Sequence, residues 1–173
     1  MAGPTHDSLP RPVFDAPAPR ILIVRAPYYR DISAALLQGA QAELEAAGAT
    51  HDLLDVPGAL ELPPAIRQAD RSGDFDGFVA LGCVIRGETT HYDTVCNDSS
   101  RGLMQLGLAG YCIGNGILTV ETYDQAAVRA DPAGQNKGGG AAAAALHLVA
   151  AGRRFGRRTS GAGFVPASAD RDR

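Results

Sequence analysis

Phe78-Val79-Ala80-Leu81-Gly82-Cys83-Val84-Ile85 runs directly into Arg86-Gly87-Glu88-Thr89-Thr90-His91-Tyr92-Asp93. The first part is almost wholly apolar, as expected of a strand buried on both faces of a parallel sheet, so residues 75–85 read as the central strand. The second part is a short polar loop delivered at the carboxyl end of that strand. Before it, residues 52–56 read as a strand that enters Val56-Pro57-Gly58-Ala59-Leu60-Glu61-Leu62-Pro63. Proline and glycine force a turn there and leave Glu61 near a strand end. A helix over 64–72, closed by Gly73, joins this turn to the central strand.

Further out, Ile21, Leu22, Ile23 and Val24 form another continuous apolar run, ended by Pro27. Asp31 is placed to cap a helix in which Ile32, Ala35, Leu36, Ala40, Leu44 and Ala47 recur at helical spacing, with Gly48 as its stop. On the other side of the opening stretch, the pattern predicts a helix over 93–108, a glycine stop at Gly110 and a strand over 111–120. A helix over 122–129, a glycine-rich break over 134–140 and an alanine-rich helix to about residue 155 complete the chain. Strands separated by helices at this rhythm predict a flavodoxin-like three-layer α/β/α fold with a central four-stranded parallel sheet. Ligands bind such sheets beyond the carboxyl ends of the strands. Tyr28, Leu60, Glu61, residues 86–91 and residues 119–121 therefore fall at one candidate edge.

A chain of 173 residues, 45% hydrophobic and 20% charged, supports a single core. We read one domain over 20–156. Residues 1–19, rich in proline, read as a tail that is disordered or docked on a neighbour near Val13 and Phe14, and 157–173 as a flexible tail whose arginines suit a helix C-terminus. A formal net charge of -3 offers no general field for nucleic acid. No apolar run is long enough to span a membrane, and the first segment lacks the apolar stretch of a signal peptide. Cys83, Cys96 and Cys112 are odd in number and lack metal or disulfide spacing, which points to reduced thiols and a cytoplasmic location.

Within the polar loop, Gly87 permits close backbone approach, and Thr89 and Thr90 bring hydroxyls to a helix start, a plausible cradle for phosphate or carboxylate. The same threonines could simply cap the helix. Histidine is the side chain suited to take and give a proton near neutral pH, so His91 is the candidate acid and base, although a loop histidine can equally be a capping or surface residue. His91, Asp93 and Cys96 are too few for a metal site, and no metal is expected. Gly134-Gln135-Asn136-Lys137-Gly138-Gly139-Gly140 lacks the spacing of a nucleotide loop. Its lysine and helix-start amides could hold a small anion, with Arg129 within reach along the sequence, or its glycines could only let two helices turn.

Taken together, residues 56–63, residues 80–93, Gly116-Ile117-Leu118-Thr119 and Asn136-Lys137-Gly138 resemble the lumazine synthase family in order and spacing, over about residues 20–155. The resemblance implies condensation of 5-amino-6-(D-ribitylamino)uracil with 3,4-dihydroxy-2-butanone 4-phosphate to 6,7-dimethyl-8-ribityllumazine, phosphate and water, without a cofactor. It implies His91 as proton shuttle. It further implies Tyr28, Ala59, Leu60, Glu61, Val84, Ile85 and Asn115 at the ring and ribityl chain, and Gly87, Glu88, Thr89, Arg129 and Lys137 at the phosphate. Asn115, Arg129 and Lys137 would come from a neighbouring subunit of a homopentamer, with a decamer or a sixty-subunit cage left open. This chain departs from the family pattern at Pro27-Tyr28, where arginine and phenylalanine or tryptophan are frequent, and at Leu60 and Asn115, where phenylalanine is frequent. Rival readings are a non-catalytic binder of flavin or a ribityl compound and a structural shell.

Overall fold

The computed structural model describes residues 9–156. Four strands, β1 (Arg20–Arg25), β2 (Thr50–Asp55), β3 (Gly77–Ile85) and β4 (Ile113–Val120), form one parallel sheet in the order β2-β1-β3-β4. Five helices accompany them: α1 (Arg30–Ala46), α2 (Leu62–Ala69), α3 (His91–Leu108), α4 (Tyr123–Ala130) and α5 (Lys137–Gly156). The arrangement is the expected three-layer, flavodoxin-like α/β/α fold.

The apolar runs in β1 and β3 are continuous because each strand feeds two cores. Ile21 and Ile23 belong to the cluster beneath α1, α4 and α5, whereas Leu22 and Val24 belong to the cluster beneath α2 and α3. Alternation along the strand thus sends successive apolar side chains to opposite layers. Each fully buried isoleucine or leucine contributes about 1.5–3 kcal/mol of transfer free energy. β2, at one edge, is mostly exposed, and β4, at the other, alternates: Ile113 is buried, whereas Asn115 and Thr119 face outward.

Several boundaries differ from the sequence expectation. Asp31 is not the N-cap of α1; Tyr29 is, without a side-chain cap, and Asp31 lies in the first turn, where its charge complements the helix dipole. α2 begins at Leu62, with the prolines in its first turn, where a missing N–H costs nothing. α3 begins at His91, two residues before the expected start, and β4 begins at Ile113, leaving Cys112 just before the strand. The expected stops hold: Gly48, Gly73 and Gly110 close helical segments in left-handed geometry.

The largest correction concerns the glycine-rich break. Gly138, Gly139 and Gly140 lie inside the first turn of α5, and the break is shorter, ending at Asn136. A Cβ on Gly138 would stand 2.0 Å from the Leu36 carbonyl oxygen of α1, so the glycines let two helices press together. Asn136, left-handed at φ 44°, accepts a hydrogen bond from the Gly139 amide through Oδ1 at 3.1 Å and so caps α5.

Residues 9–19 form no helix or strand but run along α1 and α5. Arg11 donates from Nε and Nη2 to the Glu43 carboxylate at 2.8–2.9 Å, Phe14 packs on the larger core, and the Arg153 guanidinium carbon lies 5.4 Å from the Phe14 ring centroid. Residues 1–8 and 157–173, to which the rest of the two expected tails belongs, lie outside the described residues. Among the described residues, no helix is long and apolar enough to cross a membrane.

Candidate active site

Connections from β1 and β3 leave toward opposite faces of the sheet, so the switch point falls between these two strands. In the parallel register β1 and β2 end together, opposite Leu81, while β3 runs on to Ile85: the Ala26 amide donates to the Leu81 carbonyl at 2.8 Å, and the Val56 amide to the Arg25 carbonyl at 2.8 Å. A cavity of about 520 Å³ opens beyond this edge. Its walls come from separate turns. The segment after β1 supplies Ala26, Tyr28 and Tyr29, the turn after β2 supplies residues 57–61, and β3 with its loop supplies Cys83, Val84, Ile85, Gly87 and Thr89. The first helical residues of α3 add His91 and Tyr92, and Val95 lies one turn on.

Local chemistry explains these placements. Gly58 opens a single 3-10 turn, Ala59–Glu61, closed by a hydrogen bond from the Glu61 amide to the Gly58 carbonyl at 3.2 Å; this leaves the Glu61 carboxylate exposed at the cavity. Gly87 is open: a Cβ there would meet nothing within 4 Å. The Thr89 hydroxyl accepts from the His91 amide at 3.4 Å, a long bond at the start of α3, so that threonine does serve the helix end as well as line the cavity. Thr90, the N-cap residue, makes no side-chain cap. Tyr28 is 75% exposed and meets Tyr29 edge to face at 5.0 Å between centroids. Burial pushes the Tyr29 phenol up from its ordinary value, and burial pushes the Cys83 thiol up to about 11, so both stay protonated near neutral pH.

Of the residues singled out by sequence, the structure brings Tyr28, Ala59, Leu60, Glu61, Val84, Ile85, Gly87, Thr89 and His91 to the cavity of one chain. Glu88, Asn115, Arg129 and Lys137 are not among its lining residues. Asn115 sits exposed on β4, its Oδ1 accepting from the Ile117 amide at 3.0 Å. Arg129 donates from Nη1 to the Gln125 carbonyl at 2.9 Å on α4, and Lys137 is exposed at the start of α5. Sequence reasoning missed Tyr29, Cys83, Tyr92 and Val95 as wall residues. Val95 was findable, since it follows His91 by four residues on a helix face, and Cys83 shares the Ile85 side of β3.

Fold and cavity define a doubly wound α/β protein with an imidazole, a carboxylate and an open glycine turn around a cavity at its switch point. Residues 18–153 match the family model described as 6,7-dimethyl-8-ribityllumazine synthase, and the chain belongs to that family. It is 55% identical over 166 residues to the 6,7-dimethyl-8-ribityllumazine synthase of Jannaschia sp. (strain CCS1), covering 96% of this chain and 93% of the relative. The protein of that name from Erythrobacter litoralis (strain HTCC2594) is 53% identical over 137 residues, covering 79% of this chain and 98% of the relative. 6,7-dimethyl-8-ribityllumazine synthase 1 of Rhodopseudomonas palustris (strain ATCC BAA-98 / CGA009) is 51% identical over 149 residues, covering 83% and 91%.

Proposed function

We propose that the cavity at the switch point is where this member of the 6,7-dimethyl-8-ribityllumazine synthase family condenses 5-amino-6-(D-ribitylamino)uracil with 3,4-dihydroxy-2-butanone 4-phosphate. The products are 6,7-dimethyl-8-ribityllumazine, phosphate and water, and the step belongs to riboflavin biosynthesis. The observation that carries the assignment of roles is the position of His91. It opens α3 on the wall formed by the β3 loop, while residues 57–61 form a wall on the other side of β1.

In this reading the ring amine attacks the ketone carbonyl, and His91 returns protons as water leaves to form the imine. His91 then serves phosphate elimination and closure of the second ring. No metal or cofactor is needed, because the amine is the nucleophile and phosphate a competent leaving group. Glu61 accepts hydrogen bonds from ribityl hydroxyls, and Tyr28 stacks on the pyrimidine ring beside Ala59 and Leu60. The backbone at Val84 and Ile85 reads the ring's carbonyl edge, and Gly87, Glu88 and Thr89 hold the phosphate.

Asn115, Arg129 and Lys137 complete the site from a neighbouring subunit of a homopentamer. Their placement supports this, since all three belong to β4, α4 and α5 and none lines the cavity of their own chain. Exposed apolar side chains on α3, Met104 at 63% and Leu108 at 83%, suit burial between subunits. Three free thiols suit a cytoplasmic protein.

Mixing the purified chain with both substrates tests the reading: accelerated appearance of the lumazine is expected. His91→Ala should lower kcat about 100-fold or more, as loss of a positioned acid and base does, with sedimentation mass unchanged. An unaltered rate removes His91 from the mechanism, and tight riboflavin binding without turnover would favour a flavin binder.

A further inference from the structure

A side-chain cluster stands behind the cavity wall without lining it. Arg86, the residue after β3, donates from Nε to the Glu121 carboxylate at 2.8 Å and from Nη1 to the Asp93 carboxylate at 3.3 Å. Its guanidinium carbon also lies 4.0 Å from the ring centroid of Tyr92, which does line the cavity. Glu121 is the residue after β4, and Asp93 lies in the first turn of α3. One planar cation therefore joins the ends of two strands to the start of the helix that begins with His91. β3 and β4 stay paired up to that level, where the Arg86 amide donates to the Val120 carbonyl at 3.0 Å.

Few other side chains hold the first turn of that helix. α3 buries only Ser99 and Leu103, both well beyond its first turn, and the Thr90 side chain does not cap it. The Thr89 hydroxyl adds a long bond from the His91 amide, and half-buried Val95 packs on the smaller core one turn further along. We propose that Arg86 is a positioning residue: its bridge from Glu121 to Asp93, with its stacking on Tyr92, sets the direction in which α3 presents His91 to the cavity. The inference rests on the reading of His91 as proton shuttle.

Chemistry favours arginine for this task. A guanidinium is a rigid planar fork that can meet two carboxylates and an aromatic face together, whereas a lysine ammonium is a single point charge on a flexible stem. Half-exposed ion pairs contribute little to folding free energy. A displacement of about 1 Å at a reacting group, however, can lower a rate about 100-fold. The cluster should consequently act on rate and not on stability.

The test compares kcat and KM for both substrates, together with urea unfolding, in wild type, Arg86→Met, Arg86→Lys, Glu121→Gln and the Arg86→Met/Glu121→Gln pair. Arg86→Met should lower kcat about 10- to 100-fold, with KM values within about threefold and the unfolding midpoint nearly unmoved. Arg86→Lys should recover only part of the loss. Glu121→Gln should lower kcat less than Arg86→Met and add nothing to it in the pair, because both break one bridge. Wild-type kcat in Arg86→Met, a loss carried by KM instead, or multiplicative losses in the pair would overturn the proposal. Should Arg86→Met fail to fold, Glu121→Gln decides alone, and an unchanged kcat there overturns it. An inactive wild type, or a fully active His91→Ala, removes the underlying reading and this inference together. An active wild type with a slow His91→Ala and an unaltered Arg86→Met removes the positioning role only.

Discussion

The loop around Gly87 and the start of α5 at Gly138 look alike along the chain: each places glycine beside polar residues near the start of a helix. In space they do opposite things. A Cβ on Gly87 would meet open space beside the cavity, whereas one on Gly138 would collide with the Leu36 backbone at 2.0 Å. A glycine near a helix start can thus leave room for a ligand or for the chain itself. Composition alone does not separate these uses, and only the neighbouring element decides.

Substitution should separate them, starting with the largest effect. Gly138→Ala forces α5 away from α1, and we expect a loss of about 3 kcal/mol or more in urea unfolding. A change under about 0.5 kcal/mol would show that the helices tolerate the methyl, and the contrast would break. The cavity end of β3 offers a test of intermediate size through Cys83. Its folded-state pKa of about 11 lies above the ordinary 9.0, so its contribution to stability is intact below about pH 9 and is lost as pH rises toward 11. Wild type should lose on the order of 1–3 kcal/mol more than Cys83→Ala over that interval. Equal pH dependence in the two proteins would mean that water reaches the cavity floor. Gly87→Ala is the smallest in folding terms, within about 0.5 kcal/mol of wild type, because its methyl meets nothing. It should instead raise KM for the phosphate-bearing substrate by about threefold to tenfold, and a destabilised protein with unchanged KM would reverse the assignment of the two glycines.

Much of the fold was legible because β1 and β3 are buried on both faces, which writes an unbroken apolar run into the sequence. The glycine stops at Gly48, Gly73 and Gly110 were legible for a local reason, the left-handed backbone that each adopts. The start of α5 was not, because glycine's low helix propensity argues for a break while packing against Leu36 overrides it. Asp31 was misread similarly: its residue type suits an N-cap, but the helix begins one residue earlier. At the site, His91 and Glu61 could be placed from strand ends alone. Tyr29 and Cys83 escaped because a tyrosine before a helix and a cysteine in a strand read equally well as core. Lys137 and Arg129 drew attention as possible anion holders beside the glycine-rich segment, but only the family resemblance links them and Asn115 to the cavity, since no local pattern connects β4, α4 and α5 to it.

The cavity wall is assembled from turns that are each rooted in a different strand end. A substitution in one turn, such as the leucine at position 60, changes what the wall touches without requiring a matching change in the next turn or in the sheet. The contact between α1 and α5 has no such freedom at its closest point, because Gly138 answers to the Leu36 backbone and Gly39 to Asn136 and the Gly139 amide across the interface. Over many generations the two regions should therefore record different histories: a wall that can try new ligand contacts one residue at a time, and a helix pair in which most single changes are lost before they can be combined.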